Sequence, residues 1–130
     1  MLDTGHLMHT DLSLRTQAEA LKYLYRRVEE QGEEVRKAIR GIHLHQSLTG
    51  AYMAAVAAHP PILFIDPIKR MEQVYTHAFA CDQHRPFTCP GVREFIRWID
   101  PEYLTLEFIS SSRVEQEAML KEQLASLEKP

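Results

Sequence analysis

The first half of the chain carries apolar residues at a helical spacing. A series of aliphatic side chains recurs every seven positions: Leu14, Leu21, Val28, Val35 and Ile42. Asp11 or Ser13 can cap the start of such a helix. Gly32 is the weak position, because glycine costs about 1 kcal/mol relative to alanine inside a helix. The spacing predicts a long N-terminal amphipathic helix whose apolar stripe faces one long partner.

A helix of this length does not fit within one small globule. Thirty helical residues extend over about 45 Å, whereas a compact domain of 130 residues has a diameter of about 36 Å. Part of the stripe would then lack a partner in its own chain. The pattern therefore predicts a homo-oligomer, most simply a two-fold dimer, with the residues of the seven-residue series as its interface.

Prolines punctuate the second half and mark helix starts. Asp66-Pro67 and Cys89-Pro90 each precede an amphipathic run, and Ser112 with Glu115 forms a capping box. The predicted apolar positions of the last two helices are Val92, Phe95, Ile96 and Ile99, then Val114, Leu120, Leu124 and Leu127. Two short stretches are ambiguous. A helix is favoured for 103–109 because Asp100-Pro101 precedes it, and an extended connector for 62–65, but the two can instead form a strand pair. The expected fold is mainly α, with five or six helices.

Composition is typical of one globular domain. The chain has 130 residues, with 45% hydrophobic and 25% charged, so we expect a single helical domain over 1–130 with a flexible start at 1–11. The segment 51–65 is the longest apolar window, but two prolines interrupt it. It is too short for a bilayer span, and no secretory signal is recognised. We therefore expect a cytoplasmic protein without membrane contacts.

The distribution of charge argues against a general nucleic-acid binder. The formal net charge is −3, and the negative excess lies in the last thirty residues, which have three Lys and Arg against six Asp and Glu. Non-specific binding to nucleic acids depends on many basic contacts with phosphates. Nucleic acid is therefore a possible partner but not the favoured one.

One segment, HAFACDQHRPFTC, concentrates potential metal ligands. His77, Cys81, His84 and Cys89 fall within thirteen positions, and zinc takes four nitrogen or sulfur ligands in structural sites. The spacing is not that of a common zinc finger, and cysteine is often buried without a metal. We therefore expect no cofactor, with zinc at these four residues as the alternative.

Other reactive residues give weaker indications. Cys89 precedes a predicted helix, where its thiolate would be stabilised, and Cys81 could resolve its oxidised form. His43 and His45 fall within the predicted helix, where residues two apart point to different sides and make a poor chelate. No Gly-rich phosphate loop, nucleophile elbow or HExxH motif occurs. No catalytic residues are therefore expected.

These observations favour a non-catalytic, oligomeric helical adaptor or regulatory protein. Its expected partners are a second copy of itself and another protein, bound around Trp98 with Arg93 and Arg97. The first alternative is a zinc-stabilised regulatory module that contacts nucleic acid through the same arginines and Arg85. The second alternative is a small thiol-based redox sensor centred on Cys89.

Overall fold

The computed structural model describes residues 1–128, which form seven helices and one three-stranded parallel sheet. The strands are β1 (Leu2–Asp3), β2 (Gly41–Leu44) and β3 (Tyr103–Leu106). The helices are α1 (Thr4–Met8), α2 (Gln17–Glu29), α3 (Glu33–Lys37), α4 (Gly50–Ala58), α5 (Pro67–Cys81), α6 (Val92–Ile99) and α7 (Arg113–Glu128). The chain is 55% helical, but the sheet makes the fold mixed α/β rather than mainly α.

The sheet has the order β1-β2-β3, and all neighbours are parallel. Parallel neighbours need long crossover connections, and helices α1–α3 and α4–α6 provide them. The strand alternative for 103–109 is thus confirmed over β3. Its expected partner is wrong, because 62–65 is an irregular loop and β3 pairs with β2.

The predicted long N-terminal helix is wrong. α2 ends at Glu29, Gly32 adopts a φ of 88°, and α3 and β2 follow as separate elements. This positive φ is accessible to glycine and strained for other residues, so Gly32 breaks the helix rather than bending it. The last two members of the seven-residue series lie beyond this break, Val35 in α3 and Ile42 in β2. The series therefore does not mark one continuous helix.

The apolar series is enclosed by its own chain. Leu14, Leu21, Val28 and Ile42 are 0 to 8% exposed, and only Val35 is open, at 48%. These four residues pack in one core with Phe87 and the predicted face of α6, of which Val92, Phe95 and Ile99 are buried and Ile96 is partly buried. The expectation that the series forms an oligomer interface is corrected accordingly, because these side chains are already covered.

The start of the chain, expected to be flexible, is part of the sheet. β1 pairs with β2, and the Thr4 hydroxyl lies 3.0 Å from the carbonyl oxygen of His43 and 2.6 Å from that of His45. The His45 backbone N–H in turn lies 3.1 Å from Thr4 Oγ1. These buried hydrogen bonds fix the first turn of α1 against the end of β2.

The outer helices differ from their predicted faces. α7 buries Met119, Gln123 and Ser126, while Leu120 and Leu124 are exposed, because the side-chain oxygen Oε1 of Gln123 accepts a hydrogen bond from the Phe87 backbone N–H at 2.8 Å. Residues 57–72, between α4 and the middle of α5, are all exposed. We call residues 51–79 the arm.

None of the helices within residues 1–128 is long and apolar enough to cross a membrane.

Candidate metal centre

Polar side chains collect where the three parallel strands end. Asp3 is the last residue of β1, His45 follows β2 directly, and Glu107 follows β3 directly. Asp3 is in register with His43, and Glu107 is hydrogen-bonded through its N–H to the Leu44 carbonyl. Ligands of open parallel sheets bind outside the carboxyl ends of the strands, so these residues share the edge at which a site is expected.

Two further segments complete the group. α1 contributes His6 and the following turn contributes His9, while the loop after α5 contributes Asp82 and His84. That loop is held against the end of β2 by two backbone hydrogen bonds between Gln46 and Arg85, at 2.8 and 2.9 Å. We call the resulting set the histidine cluster; its members are Asp3, His6, His9, His43, His45, Asp82, His84 and Glu107.

The centre of the histidine cluster is a stacked pair of buried imidazoles. The rings of His45 and His84 lie 3.8 Å apart at 9°. Each ring has its Nε2 against a carboxylate: 3.0 Å to Asp3 for His45 and 3.0 Å to Asp82 for His84. Each Nδ1 is buried without a hydrogen-bond partner. A carboxylate on one ring nitrogen and a free second nitrogen is the usual setting of a metal-binding histidine.

Glu107 brings a carboxylate to the same place. Its Oε1 lies 3.8 Å from His84 Nδ1, and its Oε2 lies 3.1 Å from His43 Nδ1 without an aligned hydrogen bond. Asp82 Oδ1 is likewise close to His84 Nε2 without such alignment. Ligand atoms around one metal ion at bonds of about 2.1 Å stand roughly 3.0 to 3.4 Å apart. The crowding of these unpaired polar atoms therefore fits a metal site.

Several ligand sets can be drawn from the histidine cluster. His45, His84 and Glu107 each offer one ligand atom, and all three atoms lie within 4.8 Å of one another. Three overlapping sets meet the same distance: Asp3, His6 and His45; His6, Asp82 and His84; and Asp3, His43 and Glu107. The set of His45, His84 and Glu107 differs from the other three because each of its members has a polar atom without a hydrogen bond: His45 Nδ1, His84 Nδ1 and Glu107 Oε2.

The electrostatics favour the ligand forms of two of these groups, His45 and Asp3. Burial lowers the pKa of His45, the neighbouring His84 lowers it further, and the attraction of Asp3 and Glu107 does not compensate. Burial alone would raise the pKa of Asp3, but the His6 backbone N–H and the charge of His45 outweigh it and the pKa is lowered. Neutral imidazole and ionised carboxylate are the states that bind metals.

The site is also under conformational constraint. His84 has a φ of 45°, in the left-handed region that non-glycine residues seldom occupy and that costs of order 1 kcal/mol or more. A Cβ atom on Gly5 would overlap the His45 ring. Such strain is concentrated at functional sites, and here both features position the stacked imidazoles.

The four ligands predicted from the HAFACDQHRPFTC segment are divided among three places. His77 and Cys81 share a face of α5, with Nε2 and Sγ 3.9 Å apart. His84 lies in the histidine cluster, and the Cys89 N–H donates to Gln17 Oε1 at 3.0 Å. Among the described residues, no set of three of these four comes within 4.8 Å. The helical spacing was sufficient to place the first two together but not the others.

Both thiols are free and weakly acidic. Burial raises the pKa of Cys81 and also that of Cys89, which disfavours the reactive thiolate. The redox-sensor alternative therefore has little support in the surroundings of either cysteine.

The expected partner surface is partly engaged within the chain. The Trp98 ring lies 5.0 Å from that of Tyr25, and the Arg36 guanidinium lies 5.3 Å from its centre. Arg93 donates to the Glu128 carbonyl at 3.2 Å, whereas Arg97 is exposed. Trp98 thus packs against its neighbours rather than standing out as an anchor.

The chain has no significant match among protein-family models, curated proteins or solved structures. The functional proposal therefore rests on the geometry of the histidine cluster.

Proposed function

We propose that the histidine cluster binds a divalent transition-metal ion and that the protein uses it in catalysis on a small polar substrate. The single observation that carries this proposal is the convergence of His45, His84 and Glu107, each of which also has a buried polar atom without a hydrogen-bond partner. Unpaired buried polar atoms are costly, at about 1 to 3 kcal/mol each. A metal ion would satisfy all three at once.

The donor set indicates the class of metal. Two imidazoles and one carboxylate suit Zn²⁺, Mn²⁺, Fe²⁺ or Co²⁺, whereas Mg²⁺ and Ca²⁺ prefer oxygen ligands throughout. Catalytic zinc sites often have three protein ligands and keep one position for water or substrate. The three ligands proposed here match that number. Of the four ligands predicted from sequence, this centre retains only His84.

The chemistry divides between metal and protein. A bound divalent ion supplies Lewis-acid polarisation of a substrate oxygen or of a water molecule. Asp3 holds the His45 imidazole in orientation through a hydrogen bond, and the Asp82 carboxylate lies beside the His84 imidazole. His6 is exposed and His43 is half-buried at the rim of the histidine cluster, so each can exchange a proton with a substrate at the strand ends.

We prefer this role to the non-catalytic adaptor expected from the sequence. A packed, strained and desolvated cluster of ionisable groups is typical of functional sites. Two free cysteines support our placing of the protein in a reducing, cytoplasmic compartment.

Metal binding is tested by calorimetric titration of chelator-treated protein with Zn²⁺ and Mn²⁺. We expect about one ion per chain, with affinity reduced at least 10- to 100-fold in His45→Ala and Glu107→Gln. The matched control is His59→Ala, which removes an exposed histidine of the arm and should bind as tightly as the wild type. Binding should also raise the unfolding temperature of the wild type, since the metal prefers the folded state.

Two results would contradict the proposal. One is the absence of stoichiometric binding by either ion. The other is binding that is lost in Cys89→Ser but retained in His45→Ala, which would return the site to the four ligands predicted from the sequence.

A further inference from the structure

The arm exposes an unusual amount of apolar side chain. Its loop contains four consecutive large apolar residues, Ile62, Leu63, Phe64 and Ile65, that are 51 to 92% exposed. The loop is tied to α5 by hydrogen bonds: the Gln73 amide donates to the Ile62 carbonyl at 3.1 Å, and Arg70 donates to the Phe64 carbonyl at 2.8 Å. The apolar side chains are thus held in place without being covered.

Helix α5 continues this surface. Ile68, Met71, Tyr75 and Phe79 follow one another at steps of three or four residues and are 53 to 66% exposed. Side chains at this spacing share one face of a helix. The face extends for about 16 Å along the axis, beginning beside the apolar loop.

The size of the surface can be compared with known interfaces. Aromatic side chains bury about 150 to 250 Å² each and aliphatic ones somewhat less, so these eight residues, at 51 to 92% exposed, present roughly 1,000 Å² in all. The largest apolar patch on a typical monomer is about 300 to 600 Å². A stable dimer buries about 800 Å² per partner. The arm therefore exposes more apolar area than a monomer usually does, and enough for a stable dimer.

We infer that the arm is the surface through which two copies of this chain associate, with the α5 helices packed antiparallel across a two-fold axis. Within the arm, Asp66 and Glu72 balance Lys69 and Arg70. An interface of this symmetry must complement itself, and a two-fold axis near Met71 brings Lys69 of one copy towards Glu72 of the other. Because these acidic and basic charges cancel, the arm has no net positive charge that would attract anionic lipid or nucleic acid. Self-association, first expected at the seven-residue series, is thereby relocated to the arm.

Sedimentation equilibrium from about 1 to 100 μM tests the inference, with chelator present so that the result does not depend on the metal centre. We expect a wild-type dimer. Met71→Glu places a charge in the interface twice, because both copies carry it, and should raise the dissociation constant at least about 100-fold, or tenfold per copy. Circular dichroism should show an unchanged fold, since Met71 contributes nothing to the core.

The control is Val114→Glu, which adds the same charge to an apolar residue of α7 that is 79% exposed; it should remain dimeric. A charge reversal tests the arrangement of the helices. Lys69→Glu should weaken the dimer, because it places two negative charges together. Adding Glu72→Lys should restore most of the lost affinity, because opposite charges then meet again across the axis.

A wild-type monomer at 100 μM would overturn the inference. Co-sedimentation with phosphatidylcholine vesicles would then identify a lipid surface as the occupant of the arm. A dimer that Met71→Glu and Val114→Glu leave equally intact would overturn it as well, because the copies would then be joined elsewhere.

Discussion

Replacing Gly5 by alanine isolates the packing that positions His45. Gly5 lies in α1 with an ordinary helical backbone, outside the positive-φ region. Inside a helix, alanine is favoured over glycine by about 0.5 to 1 kcal/mol. Propensity alone therefore predicts that Gly5→Ala stabilises the protein.

The surroundings of Gly5 predict the opposite sign. The three atoms nearest to an added Cβ all belong to the His45 ring, and each would overlap it. That ring cannot move freely, because it is fully buried, stacks on His84 and is held by Asp3. Overpacking of a rigid site costs about 1 to 3 kcal/mol. The net expectation is a loss of about 1 to 2 kcal/mol.

A double-mutant cycle separates the two contributions. Removing the ring in His45→Ala removes the overlap, so Gly5→Ala should be neutral or slightly stabilising in that background. The coupling energy between the two sites is then about 2 kcal/mol. Urea unfolding followed by circular dichroism, in chelator, measures all four proteins. Equal effects of Gly5→Ala in the two backgrounds would refute the reasoning, since the cost would then not come from His45.

Two further predictions concern pH and the core. His45 has its ordinary pKa of 6.5 in the unfolded chain and a lowered pKa in the folded protein. The unfolded state therefore binds more protons, and the free energy of unfolding should fall as the pH decreases through and below 6.5. Urea unfolding that depends on pH as steeply in His45→Ala as in the wild type would count against this. Leu21→Asp should cost at least about 3 kcal/mol and unfold much of the protein, because it buries a charge, while Val35→Asp, at a half-exposed position, should change stability by less than about 1 kcal/mol. Thermal melts compare the pair, and a folded Leu21→Asp protein that has only lost its oligomer would support the interface first predicted from the sequence.

Local signals in the sequence were sufficient for the elements that they govern directly. Asp66 caps α5 through the Lys69 N–H, with proline at the first helical position, and the apolar face of α6 is buried as its spacing indicated. Both depend only on residues within four positions of each other. The start of α2 was placed wrongly, because Asp11 or Ser13 was the predicted cap, whereas Thr16 and Glu19 form the capping box.

The seven-residue series failed because burial, not a continuous helix, explains it. Leu21 and Val28 belong to α2, whereas Ile42 belongs to β2, and all three reach one core. A spacing rule cannot distinguish one long helix from two elements that converge on the same core. Gly32 was recognised as the weak position, but its cost of about 1 kcal/mol as a helical residue was too small to decide the question.

The histidine cluster was missed because residues 43–45 were assigned the period of a helix instead of that of a strand. On a helix, His43 and His45 point to different sides, but in and beside a strand, residues two apart share a face. The run IHLH at residues 42–45 alternates apolar and polar residues, which is the pattern of a strand with one buried face. Asp3 and Glu107 each end a short apolar strand, yet 104 positions separate them. Only the parallel pairing of β1, β2 and β3 brings their carboxylates to one edge.

The same topology places the histidine cluster directly after the last helix of the arm. α5 presents its exposed apolar face over Ile68 to Phe79, and its last residue, Cys81, accepts a contact from His9 Nε2 through its carbonyl at 3.2 Å. Asp82 and His84 follow immediately, so the end of α5 determines where two members of the histidine cluster lie. An interface that fixes α5 would therefore also restrict the loop that carries His84 in its strained conformation. The strained backbone of His84 would then be held in two ways: its ring stacks on His45, and the helix before it is fixed by the interface.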